Sequence, residues 1–189
     1  MMRSCFIRPA MLVLLILCFG CGHSPEQLVA YVENPSHGLV QEMHLPQYDI
    51  RIQYLPPDLQ VLAAHGRVPS AAVLKEDRSK YEGFAYFRFV LQGNDFEPKA
   101  DTLAYLDFNM MNDFMLVTGK GDTIPCVIYQ RIASGSKHRT EFMVVFEGAV
   151  TGPGITAQDF RFVYADKILG IPPVVFRFRA RDLKKIPHL

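Results

Sequence analysis

The sequence predicts a mainly β domain, an antiparallel β-sandwich with one or two short helices near the N-terminus. About nine short apolar segments follow one another at turn-marked intervals, and several of them alternate with period two. The sequence has no regular alternation of strand-like and helix-like segments that would supply a parallel sheet. The same pattern also fits a partly open barrel, and we favour the sandwich.

Two short helices are predicted before the bulk of the strands. The first begins at residues 24–27, where Ser24 is suited to the N-cap, Pro25 to the first helical position and Gln27 to the capping box. It ends near residues 34–35, Asn-Pro. The second follows the two prolines at residues 56–57 and ends at residues 65–66, His-Gly.

The strands are predicted from apolar runs that are separated by glycine-rich turns. Residues 48–54 show the clearest period, because Tyr48, Ile50 and Ile52 alternate with polar side chains. Residues 109–113 fit either one helical turn or a bulged connection, and residues 119–122 fit a hairpin turn. The predicted strands are residues 39–45, 48–54, 84–91, 103–108, 114–117, 123–129, 141–146, 160–164 and 174–179.

Residues 1–20 are predicted to be a lipoprotein signal peptide. Arg3 and Arg8 precede an apolar run at residues 10–19, and a transmembrane helix needs about 20 such residues. Gly20 directly precedes Cys21, as in bacterial lipoprotein signals, where this cysteine is diacylated and becomes the new N-terminus. Cys18 stands where such signals carry leucine or a similar residue. An ordinary secretory signal cleaved near Gly22 and an uncleaved anchor are the alternatives.

The predicted organisation is a signal peptide at residues 1–20, a lipidated N-terminus with a short helix at 21–35, and a single β-rich domain at 36–189. A chain of 189 residues that is 49% hydrophobic has material for one substantial core. Loss of Arg3 and Arg8 with the signal takes the net charge from +1 to −1, which gives no reason to expect nucleic acid as a partner. Cys126 is then the one remaining thiol, so we expect no internal disulfide and a buried, unreactive cysteine.

The sequence carries no catalytic motif, and we expect a protein that is not an enzyme and needs no cofactor. None of the six histidines is spaced from another ligand as in short metal-binding motifs. A metal site assembled from distant segments is the alternative. There is also no nucleophile elbow, Walker loop or dinucleotide fingerprint.

The most suggestive surface feature is a basic C-terminal segment. In a strand, its arginines would share one face while Phe176 and Phe178 face the core. Such a row fits an anionic partner, such as lipid headgroups, phosphates or an acidic protein. The alternative is an edge strand protected by charge. The candidate anionic-partner patch consists of Arg177, Arg179, Arg181, Lys184 and Lys185.

Several stretches resemble a family of uncharacterised envelope lipoproteins of Bacteroidota. They are residues 105–116, 122–126 (Asp-Thr-Ile-Pro-Cys) and 162–178, together with residues 33–39 and 54–59, and the similarity covers nearly all of the mature chain. The resemblance implies an envelope lipoprotein and brings no activity, cofactor or catalytic residue. In such bacteria, acidic residues after the lipidated cysteine can direct export to the cell surface. Residues 22–26 contain only Glu26 as an acid, so we favour an outer-membrane protein that faces the periplasm.

We therefore expect a lipid-anchored envelope protein that binds another protein or supports an assembly without catalysis. A surface binder of glycan or another nutrient is the first alternative. Its stacking platform would come from Tyr48, Tyr54, Tyr81 or Tyr86. A hydrolase whose site is assembled from separate loops is the weaker alternative. The sequence does not specify a small-molecule ligand.

Overall fold

The computed structural model describes residues 23–93, 99–133, 136, 138–147 and 157–189. The predicted signal peptide and the predicted lipidation site at Cys21 lie outside these residues. Within them, the chain forms eight strands, five α-helices and two 3₁₀ turns.

The elements follow the chain in an order that places three helices before the third strand. The helices are α1 (Pro25–Glu33), α2 (Pro57–His65), α3 (Ala71–Tyr81), α4 (Ala100–Phe108) and α5 (Ala180–Leu183). The 3₁₀ turns are Pro35–His37 and Met110–Asp113. The strands are β1 (Val40–His44), β2 (Tyr48–Leu55), β3 (Phe84–Gly93), β4 (Phe114–Thr118), β5 (Thr123–Ile132), β6 (Arg139–Glu147), β7 (Phe160–Tyr164) and β8 (Val174–Phe178).

All eight described strands belong to one antiparallel sheet with the order β1-β2-β3-β6-β5-β4-β7-β8. The predicted mainly β, antiparallel class is thus confirmed. The predicted sandwich is not confirmed, because the described strands form one continuous sheet instead of two stacked ones. Twist accumulates from strand to strand, and the two edges of this sheet come together in a barrel-like arrangement.

The side chain of Gln41 joins the two edge strands. From β1, its Nε2 donates a hydrogen bond to the Arg177 carbonyl oxygen of β8 at 2.8 Å, and its Oε1 accepts one from the Arg177 amide at 3.2 Å. The same Nε2 lies 3.0 Å from the Gly38 carbonyl oxygen. The side-chain amide of Gln41 therefore makes the two hydrogen bonds that the backbone of a neighbouring strand would make. It satisfies backbone groups that would otherwise be unpaired at the edge of the sheet.

The core is built mainly from aromatic rings. Period-two alternation turns one face of each strand inward, and the fully buried Phe87 of β3 lies at the centre. Its ring centroid is 5.1 Å from that of Phe162, 5.4 Å from Phe178, 5.8 Å from Phe146 and 6.1 Å from Phe160. These contacts join β3, β6, β7 and β8, so the aromatic core links the middle of the sheet to its β8 edge.

Both predicted N-terminal helices are confirmed. Ser24 accepts a hydrogen bond from the Gln27 amide at 3.3 Å, and the Gln27 side chain accepts one from the Ser24 amide at 3.0 Å, so the capping box is complete. In α2, Gly66 follows the last turn with a φ of +66° and caps it in the left-handed conformation.

The predicted strand at residues 103–108 is wrong, because this segment lies in helix α4. Leu106 and Met110 are both fully buried and are spaced as on one helical face, whereas Phe108 is 79% exposed. Two further helices were not predicted: α3, which buries only Leu74, and the short α5. Residues 110–113 form a 3₁₀ turn, which selects the helical alternative for that segment.

Candidate anion-binding groove

A groove of about 380 Å³ lies where the ends of β4, β7 and β8 meet. Three arginines line it: Arg161 from β7, Arg177 from β8 and Arg179 just after β8. We call this site the arginine groove. Asp159 and Gly119 also contribute to its walls.

The strand register explains why two of these arginines meet. Phe160 pairs with Phe178 across β7 and β8, and Arg161 pairs directly with Arg177. The phenylalanines are buried, so the alternation turns both arginines outward. Because the backbone N–H and C=O of Arg177 bond to Gln41, they point away from β7. Arg161 and Arg177 are therefore a non-hydrogen-bonded pair, the kind whose Cα atoms lie about 4.5 Å apart and whose side chains are closest.

The arginines of the groove are not held in ion pairs within the described part of the chain. Neither Arg161, Arg177 nor Arg179 forms an ion pair with a described carboxylate. Asp159, the acidic residue of the lining, accepts a hydrogen bond from the Ala180 amide at 2.8 Å, so one of its oxygens is engaged at the start of α5. Like charges directly opposite on neighbouring strands are destabilising.

The structure keeps only part of the predicted patch together. Arg177 points outward from β8 as predicted, and Arg179 joins it in the groove. The predicted common face with Arg181 is wrong, because β8 ends at Phe178 and Arg181 belongs to α5, with its Nε 3.3 Å from Asp182 Oδ1. The exposed Lys184 and Lys185 follow α5 and do not line the groove.

Arg161 is a groove residue that was not predicted from the sequence. The residue lies in the previous strand, and the sequence alone did not show that β7 and β8 pair in this register. A usable signal was present, because Phe160-Arg161-Phe162 and Phe176-Arg177-Phe178 are matching patterns that an antiparallel pair would superimpose.

A second polar pocket, of about 350 Å³, lies on the outer face of β2, β3 and β6. Here Glu141, with a side chain only 8% exposed, joins two arginines. Its Oε2 accepts from Arg88 Nε at 2.7 Å, and its Oε1 lies 2.8 Å from Arg139 Nη2. Arg51 lies 3.6 Å from Glu42. The arginines of this pocket therefore form ion pairs with carboxylates, whereas those of the arginine groove form none with a described carboxylate.

Asp113 is a buried acid at the end of the 3₁₀ turn that directly precedes β4. Its carboxylate accepts a hydrogen bond from the Tyr105 hydroxyl at 2.8 Å, and Lys167 Nζ lies 3.2 Å from the same oxygen. The Asp113 side chain is fully buried, and this burial raises the pKa of its carboxyl group. In the described ranges, no three His, Cys, Asp or Glu residues are arranged to hold a metal ion.

Cys126 is buried, as the sequence predicts, with 7% of its surface exposed. Its Sγ lies 3.2 Å from the Ile128 carbonyl oxygen, and burial raises the pKa of the thiol to about 11. The thiolate, which is the reactive form, is therefore scarce at neutral pH.

The four tyrosines proposed for a stacking platform do not share one surface. Tyr54 is 2% exposed and lies in the core, with its ring centroid 5.5 Å from that of Phe87. Tyr48 packs partly against the same core. Tyr81 and Tyr86 are partly buried and contact each other edge to face at 5.6 Å.

The described chain begins beside its C-terminal segment. The His23 amide donates a hydrogen bond to the His188 carbonyl oxygen at 3.1 Å, and the Tyr31 hydroxyl donates one to the Asp182 carbonyl oxygen at 3.1 Å. The start of α1 and the segment around α5 are thus held together. Among the described helices, none has the length and apolar character needed to cross a membrane.

Comparison with known proteins adds only distant structural similarities. No protein-family model matches the chain, and no curated protein matches it. A crystal structure of a DUF4426 family protein from Pseudomonas aeruginosa aligns with a TM-score of 0.38 and 14% identity, covering 74% of this chain and 91% of that one. A novel protein of unknown function from Burkholderia pseudomallei aligns with a TM-score of 0.39 and 12% identity, covering 85% and 88%. Similarities at this level define neither a family nor a function for the chain.

Proposed function

We propose that this protein is a lipid-anchored protein of the bacterial cell envelope whose β-rich body binds a partner without catalysis. The observation that carries the proposal is the position of the anchor signal. Cys21 precedes His23 by two residues, and at His23 the body is already hydrogen-bonded to His188. A lipid on Cys21 would hold the folded body next to the membrane with almost no intervening linker.

The exposed charges near this end of the molecule support a binding role. Lys184 and Lys185 lie within four residues of His188, and Arg179 lies just before α5 in the same C-terminal part of the chain. An anionic surface on the partner, such as an acidic protein face, would complement them. Because the chain resembles envelope lipoproteins of Bacteroidota, we propose that it lies in the outer membrane and faces the periplasm.

Membrane attachment is tested by fractionating cells that express the full chain. We expect the wild-type protein in the membrane fraction, released only by detergent, because two or more acyl chains anchor a protein stably. A Cys21→Ala variant should either keep its signal peptide uncleaved or move to the soluble fraction. A Cys5→Ala variant, altered in the same predicted signal peptide, should behave as wild type. If Cys21→Ala is cleaved at the same position and fractionates like wild type, the proposed anchor is wrong.

A further inference from the structure

We propose that the arginine groove binds a phosphate group, held between Arg161 and Arg177 and approached by Arg179. This assignment deepens the proposed binding role, on which it rests, by naming the site and the chemistry of its ligand. It does not depend on the lipid at Cys21.

The positive charges of Arg161 and Arg177 are not held in ion pairs among the described residues. Arg161 and Arg177 face each other in the closest kind of cross-strand pair, and no described carboxylate forms an ion pair with either. An anion seated between them replaces mutual repulsion with two charge-assisted contacts. A guanidinium group presents two parallel N–H donors, which match the oxygens of a phosphate group.

The backbone that carries the two arginines is held in place by packing and hydrogen bonds. The inward-facing neighbours Phe160 and Phe178 are buried and stacked, with ring centroids 5.1 Å apart and ring planes within 14°. Gln41 fixes the Arg177 backbone through two hydrogen bonds. The backbone that carries both guanidinium groups is therefore already ordered. Because less ordering is needed when a ligand binds, the entropic cost of binding is lower.

The turn between β4 and β5 forms one end of the groove. The β4–β5 turn approaches β7 so closely that a Cβ added to Gly119 would lie 3.2 Å from the Asp159 carbonyl oxygen. The exposed Lys120 follows in that turn. The turn therefore closes one end of the groove, whose volume of about 380 Å³ accommodates a phosphate together with part of its carrier.

The second polar pocket is the less suitable site for the same ligand. Arg88 and Arg139 both form ion pairs with Glu141, so their charge is already partly offset. Arg161 and Arg177 of the arginine groove form no ion pair with a described carboxylate, and Asp159 in the lining accepts a hydrogen bond from the Ala180 amide.

The test uses the full chain purified in a non-ionic detergent, titrated calorimetrically with inorganic phosphate at constant ionic strength. We expect saturable binding that is weakened about tenfold or more by Arg161→Gln and by Arg177→Gln, a change of about 1.4 kcal/mol for each tenfold. Arg67→Gln, which removes the same charge from an exposed residue without an ion pair, should leave the affinity unchanged.

Thermal unfolding separates this role from a structural one. Without phosphate, each groove substitution should raise the unfolding midpoint, because it relieves the repulsion between like charges. With phosphate, the wild type and Arg67→Gln should gain more stability than the groove variants, because they bind phosphate more tightly. Absence of saturable binding, an equal loss in Arg67→Gln, or lower midpoints with unchanged binding would overturn the assignment.

A second titration identifies the source of the phosphate. In this titration the probe is dihexanoyl phosphatidic acid. If it binds at least tenfold more tightly than inorganic phosphate, and Arg177→Gln abolishes this difference, the natural ligand is a lipid headgroup. Equal affinities for the two probes indicate a soluble phosphate compound, and both outcomes support the site. The same titrations on Cys21→Ala separate this proposal from the anchor, because groove binding should persist when membrane attachment is lost.

Discussion

Replacing Gln41 with alanine should open the seam between β1 and β8. The substitution removes three hydrogen bonds, two to the Arg177 backbone at 2.8 and 3.2 Å and one to the Gly38 carbonyl oxygen at 3.0 Å. A typical hydrogen bond contributes about 0.5–1.5 kcal/mol net, and water can reach the freed groups at this partly exposed edge. We therefore expect the free energy of unfolding to fall by about 1–2 kcal/mol, or roughly 3–6 °C in Tm for a domain of this size.

Urea and thermal unfolding followed by circular dichroism measure the change, and hydrogen exchange locates it. The Arg177 amide, which donates to Gln41 Oε1, should exchange faster in the variant, whereas amides of the central strand β3 should be affected only through global stability. Gln130→Ala is the matched control, because Gln130 is exposed and its side chain has no hydrogen bond in the described part of the chain. Equal stability of Gln41→Ala and Gln130→Ala, with Arg177 exchange unchanged, would refute the account of how the edges are joined.

Three further predictions concern the interior. Phe87→Ala should destabilise the protein by about 3–5 kcal/mol in urea unfolding, because it empties the centre of the aromatic core; a loss below 1 kcal/mol would contradict the packing described. Because burial raises the pKa of Asp113 above its ordinary 3.8, the folded state holds that proton more tightly, so the free energy of unfolding should fall as pH rises from about 4 through the raised value. Asp113→Asn should remove this pH dependence from urea midpoints, and an unchanged profile would show that Asp113 is not its source. Cys126, with a thiol pKa of about 11, should resist maleimide in the native protein at pH 7 and react after unfolding, as read by intact mass; rapid native labelling would contradict its burial.

Much of the local structure was predictable because its signals are local. The capping box of Ser24 and Gln27 and the left-handed Gly66 are short motifs, and the structure contains both. Strand β7 was predicted with its observed bounds at residues 160–164, because it alternates phenylalanines with Arg161. Helix α4 was mistaken for a strand, because a short apolar run fits a helix as well as a strand. The helical spacing of Leu106 and Met110 was not recognised, because Met110 lies outside the run at residues 103–108.

The arrangement of the strands was not predictable in the same way. The sheet pairs β3 with β6 and β4 with β7, strands that are not neighbours in the chain, and these pairings depend on core packing between distant segments. The contact that joins the two edges comes from one glutamine side chain in β1. A single polar residue on a short strand gives no sequence signal for such a role, so sandwich and barrel could not be distinguished.

The candidate site was predicted only in part for a related reason. Arg177 and Arg179 could be identified from the basic segment itself, and their outward direction follows from strand alternation. Arg161 became part of the site through the pairing of β7 with β8, and Arg181 left it because the strand ends three residues earlier, at Phe178. Long-range register and the point at which a strand ends were the missing information.

The lipid anchor at Cys21 is the central claim of the proposed function, and intact-mass spectrometry of the membrane-extracted protein tests it most directly. The account predicts a mature chain that starts at Cys21, with a mass increased by a thioether-linked diacylglycerol or a further acylated form of it. A mass that matches an unmodified chain, whether it starts at Met1 or near Gly22, would contradict the anchor and leave the arginine groove as part of a protein without a lipid.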